Sequence, residues 1–252
     1  MAKQRGMFPL EGTLGGINFY KSKGEWLSRR SGGGFTTEAI KTKDSMVRVR
    51  ENGNEFGMVS SFKKLIRISV QQELLHAKDG ALHGRMMTVL QQVKVEDSVS
   101  ERGHRTVWQG LKTEEGKKLL TDFLFVPKQA VTALFTELPV VNLWGKHCVC
   151  GSLRASNVVF SKSATVLRLC YFVVDYDVEQ MEYARYSAEP LFVSKEGFSS
   201  DVPPFELMDL PGSFGIRMAF LSVQFYQEKN GKLFELNEQG MAGLRCLEVF
   251  NE

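Results

Sequence analysis

Leu221-Ser222-Val223-Gln224-Phe225-Tyr226, then Asn230-Gly231-Lys232-Leu233-Phe234-Glu235-Leu236, is the stretch that decides the fold. Leu221, Val223 and Phe225 alternate with Ser222, Gln224 and Tyr226, the two-residue period of a strand with one buried face. Asn230-Gly231 supplies the two positive-φ residues of a type I′ turn, so residues 232–236 are expected to return along the first strand. An apolar strand over 244–250 closes this terminal hairpin region, 214–250.

Working back from it, residues 130–135, 140–150, 157–160, 165–178, 182–193 and 215–227 are rich in β-branched and aromatic side chains and are separated by turn signals. No long helical pattern intervenes after Leu124, so the expected sheets are antiparallel and joined by hairpins or Greek-key crossings. The Pro-rich loop 199–213, with Pro203, Pro204 and Pro211, is the longest irregular piece. No repeat of solenoid length is visible.

The first third reads differently. Residues 6–30 predict a β-hairpin: Ile17 and Phe19 alternate with Asn18 and Tyr20, Ser22-Lys23-Gly24-Glu25 turns, and Trp26-Leu27 return. Ser31-Gly32-Gly33-Gly34 is a flexible joint. From Asp44 the period is helical: Phe56, Val59, Phe62, Ile66, Val70 and Leu74 make one apolar face. Asp79-Gly80 breaks that helix, and Leu82, Met86, Val89, Leu90 and Val93 mark a second. Residues 96–105 are a polar connector, and 117–123 fit a helical turn or a strand entry equally. The expected fold class is α+β: a β-hairpin arm (1–34), a helical region (35–105) and an antiparallel β-sandwich, Ig-like or related (106–252).

The 252 residues are 43% apolar and 24% charged, an ordinary globular composition. The longest apolar run has five residues, 170–174, far short of a membrane span. Residues 1–11 lack the apolar core of a secretory signal, so the expected compartment is the cytoplasm, with release in a particle left open. Cys148, Cys150, Cys170 and Cys246 are too sparse for a disulfide scaffold and read as reduced, buried thiols. The net charge of +3 hides an asymmetry: residues 1–120 carry 21 Lys+Arg and 13 Asp+Glu, residues 121–252 carry 11 and 16. A basic half suits nucleic acid, or meets the acidic half of another copy, or is simply solvated surface.

Gly6-Met7-Phe8-Pro9-Leu10-Glu11-Gly12-Thr13-Leu14-Gly15-Gly16-Ile17-Asn18-Phe19-Tyr20-Lys21 resembles the opening of a family of uncharacterised Bacteroidota proteins. Arg48-Val49-Arg50-Glu51-Asn52-Gly53-Asn54-Glu55-Phe56-Gly57 continues the likeness, and Gln227-Glu228-Lys229-Asn230-Gly231 with Leu236-Asn237 resembles its C-terminal signature. Gly-Thr followed by Phe-Tyr-Lys is also similar to openings of small tailed-phage proteins. Neither resemblance implies an activity, so no functional residue is transferred.

The chemical motifs are thin. The serine elbow Gly-x-Ser-x-Gly is absent, the 31–34 glycines lack the Lys-Ser/Thr pair of a phosphate loop, and residues 12–16 do not match the dinucleotide fingerprint. His147-Cys148-Val149-Cys150 is a weak zinc candidate, because His147 points away from both cysteines on a strand and a second ligand pair must come from Cys170, Cys246 or His104. His76 and His83 are separated by the helix break. Asp175, Asp177 and Glu179 share a strand face, which suits calcium or, better, the solvated face of an edge strand. Arg48, Arg50, Lys63, Lys64 and Arg67 form a basic patch over the apolar helix face.

These readings converge on a non-enzymatic structural protein that assembles with copies of itself into a filament, tube or shell. The expected interface is Ile17, Phe19, Tyr20, Trp26 and Leu27 on the arm. The alternative is a nucleic-acid-binding accessory protein using the basic patch. No catalytic residue, metal site, cofactor or small-molecule substrate is expected, and no membrane partner.

Overall fold

The computed structural model describes residues 2–4, 9–32, 36–75, 79–127, 131–161, 163–212, 215–236 and 240–251. Gly33 and Gly34 of the joint, His76 and Phe214 lie outside them. The fold is α+β with antiparallel sheets, and the chain divides into two compact units, Met1–Asn54 and Glu55–Glu252.

The first unit holds four strands: β1 (Ala2–Lys3), β2 (Gly12–Leu14), β3 (Ile17–Ser22) and β4 (Glu25–Arg30), in the order β1-β4-β3-β2. Two-residue turns join them at Gly15-Gly16 (φ 56° and 76°) and Lys23-Gly24 (φ 49° and 82°), the left-handed geometry that matches strand twist. The expected hairpin is therefore part of a four-stranded sheet. Thr36 caps the short helix α1 (Thr37–Thr42), its Oγ1 accepting the Ala39 N–H at 3.1 Å. The helix α2 (Val47–Ser69) begins after a 3₁₀ turn, Asp44–Met46.

The second unit is built on two long strands, β7 (Val166–Asp177) and β11 (Ile216–Lys229), paired from Val166↔Tyr226 to Tyr176↔Ile216. β8 (Glu182–Ser187) and β9 (Leu191–Ser194) flank β7; β12 (Lys232–Glu235) and β13 (Ala242–Asn251) flank β11. Asn230 (φ 52°) and Gly231 (φ 71°) make the expected tight turn between Lys229 and Lys232. A three-stranded sheet, β10 (Phe205–Glu206), β6 (His147–Val149) and β5 (Val140–Asn142), stacks on one face of the large sheet, giving the sandwich-like part. Tyr171 and Phe205 meet across it at 6.1 Å.

The other face is not solvated. α2, α3 (Gln71–Leu74), α4 (Leu82–Val95), α5 (Val107–Gly110) and α6 (Glu114–Thr121) supply a second core against it. Met218 and Phe220 of β11 point into this helical core, while Ala219, Leu221, Val223 and Phe225 point toward the small sheet. The expected single buried face of this strand is thus corrected. Ser222 is buried too, because helices cover the side that alternation assigned to water, and Tyr226 is buried near the strand's end, its hydroxyl donating to Glu235 Oε1 at 3.3 Å. Phe172 stacks on Phe220 at 5.3 Å, and Tyr176 meets Phe62 of α2 at 5.8 Å.

Four other expectations change. Residues 131–134 form a 3₁₀ helix, not a strand. Residues 140–150 are two short strands around a 3₁₀ turn, Leu143–Gly145. Residues 157–160 carry no strand. The run 182–193 breaks at 188–190, where Pro190 has no N–H to donate. The ambiguous 117–123 lies mostly in α6, nucleated by Thr113, whose Oγ1 accepts the Gly116 N–H at 3.0 Å.

Candidate assembly interface

Register places the five expected interface residues on two faces of one sheet. Phe19 sits opposite Ser28 and Lys21 opposite Trp26, so Ile17, Phe19 and Trp26 share a face. Tyr20 sits opposite Leu27 on the other face. Each face carries a cation over an aromatic ring: Lys21 Nζ lies 5.4 Å from the Trp26 centroid, and Arg29 lies 5.4 Å from that of Tyr20. The Gln4 side chain pins β1, accepting the Leu10 N–H at 2.9 Å and donating to Leu27 O at 3.0 Å.

No described residue of β1–β4 is buried, and Ala39 is the sole buried residue described in the first unit. Ile17 is 43% exposed and Leu14 70%. Phe19, Tyr20, Trp26 and Leu27 are half-buried. Residues 1–34 carry six Lys+Arg and two Asp+Glu, so this sheet is also cationic.

The second unit offers open edges. β8 and β10 are the terminal strands of their sheets, and a cleft of about 570 Å³ lies beside both. Glu189, Glu206 and Asp209 line it, with no Lys, Arg or His among its walls; His147 Nε2 lies 3.5 Å from Glu206 Oε1. β12 is exposed along its whole length, Phe234 by 51%.

Comparison with family models, curated proteins and solved structures returns no match.

The five residues of the basic patch have different surroundings. Lys63 is buried on the packing side of α2, not solvated, with Nζ 3.0 Å from His83 Nε2. Arg48 pairs with Glu51 at 2.8 Å, and Arg50 donates to the Ile40 and Lys43 carbonyls. Lys64 and Arg67 are exposed. Phe56, expected inside, is 55% exposed, and Glu55 takes the buried position instead.

Sequence reasoning missed that Glu55 site. Its carboxylate accepts from Lys94 Nζ (2.5 Å), Arg105 Nε (2.9 Å) and the Gly103 N–H (2.8 Å). Burial pushes its pKa up, but the bonds from Arg105, Lys94 and Gly103 outweigh that and hold it at about 2. Asp97, buried nearby in sequence, accepts the Val99, Ser100 and Thr106 N–H groups and closes the loop 96–106.

Asp175 corrects another expectation. It is not on a solvated edge but in central β7, buried and forked by Arg217 at 2.6 and 2.7 Å. Asp177 instead accepts the Glu179 and Gln180 N–H groups in a turn. Arg217 also donates to the carbonyls of Pro211 and Trp144, and the Tyr171 hydroxyl donates to Gly145 O at 2.7 Å. These bonds hold Leu143 (φ 51°), Trp144 (φ 55°) and Gly145 (φ 94°), three successive left-handed residues. The two with side chains each cost about 1–2 kcal/mol there. Leu143 and Trp144 are displayed at the surface, 67% and 52% exposed.

All four cysteines are free and buried. Cys148 and Cys150 lie with Sγ atoms 3.8 Å apart; their mutual hydrogen bond and burial push the Cys148 thiol well above its usual range. Burial pushes Cys246 up to about 12. No group of three metal-ligating side chains occurs among the described residues, and no helix among them is long and apolar enough to cross a membrane.

Proposed function

We propose that this protein is a non-enzymatic structural protein that assembles with copies of itself through its N-terminal sheet. One observation carries the reading: a four-stranded sheet with aromatic residues on both faces leaves Phe19, Tyr20 and Trp26 only half-buried and Ile17 43% exposed. A small sheet without a covered face is marginal in water. A second copy supplies the cover. The open edges of β8 and β10 offer unpaired N–H and C=O groups, and the acidic cleft beside them complements the cationic sheet. Such a contact is heterologous, so its repetition gives a ring or a filament.

Deleting residues 1–34 tests this. Light scattering and negative-stain microscopy are expected to show assemblies of the full chain and monomers of the truncated one, with the strand signal of the body intact. Assembly that persists without the arm, or a truncated chain that unfolds, would overturn it.

A further inference from the structure

Two buried lysines lie near the seam of α2 and α4, and they are treated differently. Lys94 has its anion, Glu55 Oε2, at 2.5 Å. Lys63 is more buried, 4% exposed, and among the described residues has no carboxylate within ion-pair distance. Its Nζ reaches His83 Nε2 at 3.0 Å and Met87 Sδ at 3.9 Å. Removing an ammonium from water without a counter-anion costs several kcal/mol, so such groups normally carry a partner.

A groove of about 760 Å³ runs over Lys63, and no carboxylate lines it. Ser60 stands one turn before Lys63 on α2; His83, Gln91 and Gln92 face it from α4. These side chains bring one hydroxyl, two amides and an imidazole, all able to donate. Burial and the nearby Arg67 charge both push the Lys63 pKa down, the signature of a cation short of negative charge.

We infer that the α2–α4 groove is a binding site for a phosphate-type oxyanion, with Lys63 as its charged floor and Ser60, His83, Gln91 and Gln92 as its rim. A multiply charged oxyanion accepts from the remaining Lys63 hydrogens and from several rim donors at once, and supplies the charge that Lys63 lacks. This site is independent of the N-terminal sheet. The same chemistry comes from a free phosphate compound or from the backbone of a single-stranded nucleic acid.

Calorimetric titration of the full-length protein at low salt separates these sources, using pyrophosphate in one arm and a twelve-residue oligothymidylate in the other. Saturable binding of pyrophosphate alone identifies a free phosphate compound; binding of both identifies the backbone. In either case Lys63→Met should weaken binding by about tenfold or more, and His83→Gln by a smaller factor. Lys63→Met should also melt no lower than the parent, since it removes an uncompensated buried charge. Absence of saturable binding at millimolar pyrophosphate, or binding unchanged in both variants, overturns the inference. Should Lys63→Met fail to fold, loss of binding in His83→Gln and Ser60→Ala decides the matter alone.

Discussion

The N-terminal sheet and the large sheet of the second unit use the same turn chemistry and differ in what stands behind it. Both close hairpins with two left-handed residues, Lys23-Gly24 in one and Asn230-Gly231 in the other. In the first sheet nothing is buried, whereas β7 is buried from Val166 to Tyr176 except at Arg168. Turn residues fix which strands pair; only burial fixes how much free energy the pairing carries. The first sheet carries Leu14, Ile17, Phe19, Tyr20, Trp26 and Leu27 without fully burying any of them, while the second is covered on both sides.

That contrast breaks first at Phe225, buried between β11 and Phe160 at 5.6 Å. Phe225→Ala is expected to cost about 3–5 kcal/mol in denaturant unfolding, as a cavity opens in the covered sheet. Parent-like stability would mean that the core lies elsewhere.

Glu55 gives the next largest effect. Its folded pKa of about 2 lies below the ordinary 4.5, so its contribution is fully present above pH 4.5 and is lost as pH falls toward 2. The expected loss is roughly 3 kcal/mol, read from urea midpoints across that window. Glu55→Gln should remove most of this acid dependence and lower stability by about 3–5 kcal/mol at neutral pH, since Lys94 and Arg105 lose their anion.

The smallest effect on folding is expected in the N-terminal sheet. Trp26→Ala should shift the unfolding midpoint of the body by less than about 1 kcal/mol, while reducing assembly measured by sedimentation. A large loss of stability with assembly unchanged would reverse the contrast between the two sheets.

How much of this was legible depended on range. The Lys23-Gly24 and Asn230-Gly231 turns, the long strands β7 and β11, and the stripe Val59, Phe62, Ile66 and Val70 follow from neighbours in sequence, and all are present. What failed needed distant partners. Glu55 displaces Phe56 from the core because Lys94 and Arg105, 39 and 50 residues on, converge there. Asp175 resembles an edge charge until Arg217, 42 residues later, pairs with it. Residues 130–160 mislead because β-branched content marks burial as readily as it marks strands. Alternation places Ile17, Phe19 and Tyr20 on a strand, but the division of the arm residues between two faces comes only with the register.

The left-handed turn at Leu143, Trp144 and Gly145 also bears on the time order of folding. Beside the local β5–β6 pairing and the Lys146 N–H to Leu143 O bond, it is restrained by Tyr171 on β7 and Arg217 on β11, 26 and 73 residues away, so it is fully held only once those strands have paired. Its completion is therefore expected late, on the native side of the barrier. Crowding it, as Gly145→Ala would by setting a Cβ 3.0 Å from Val173 Cγ2, should speed unfolding and leave the refolding rate nearly untouched. The surface that displays Trp144 is thus expected to be completed only after β7 and β11 have paired.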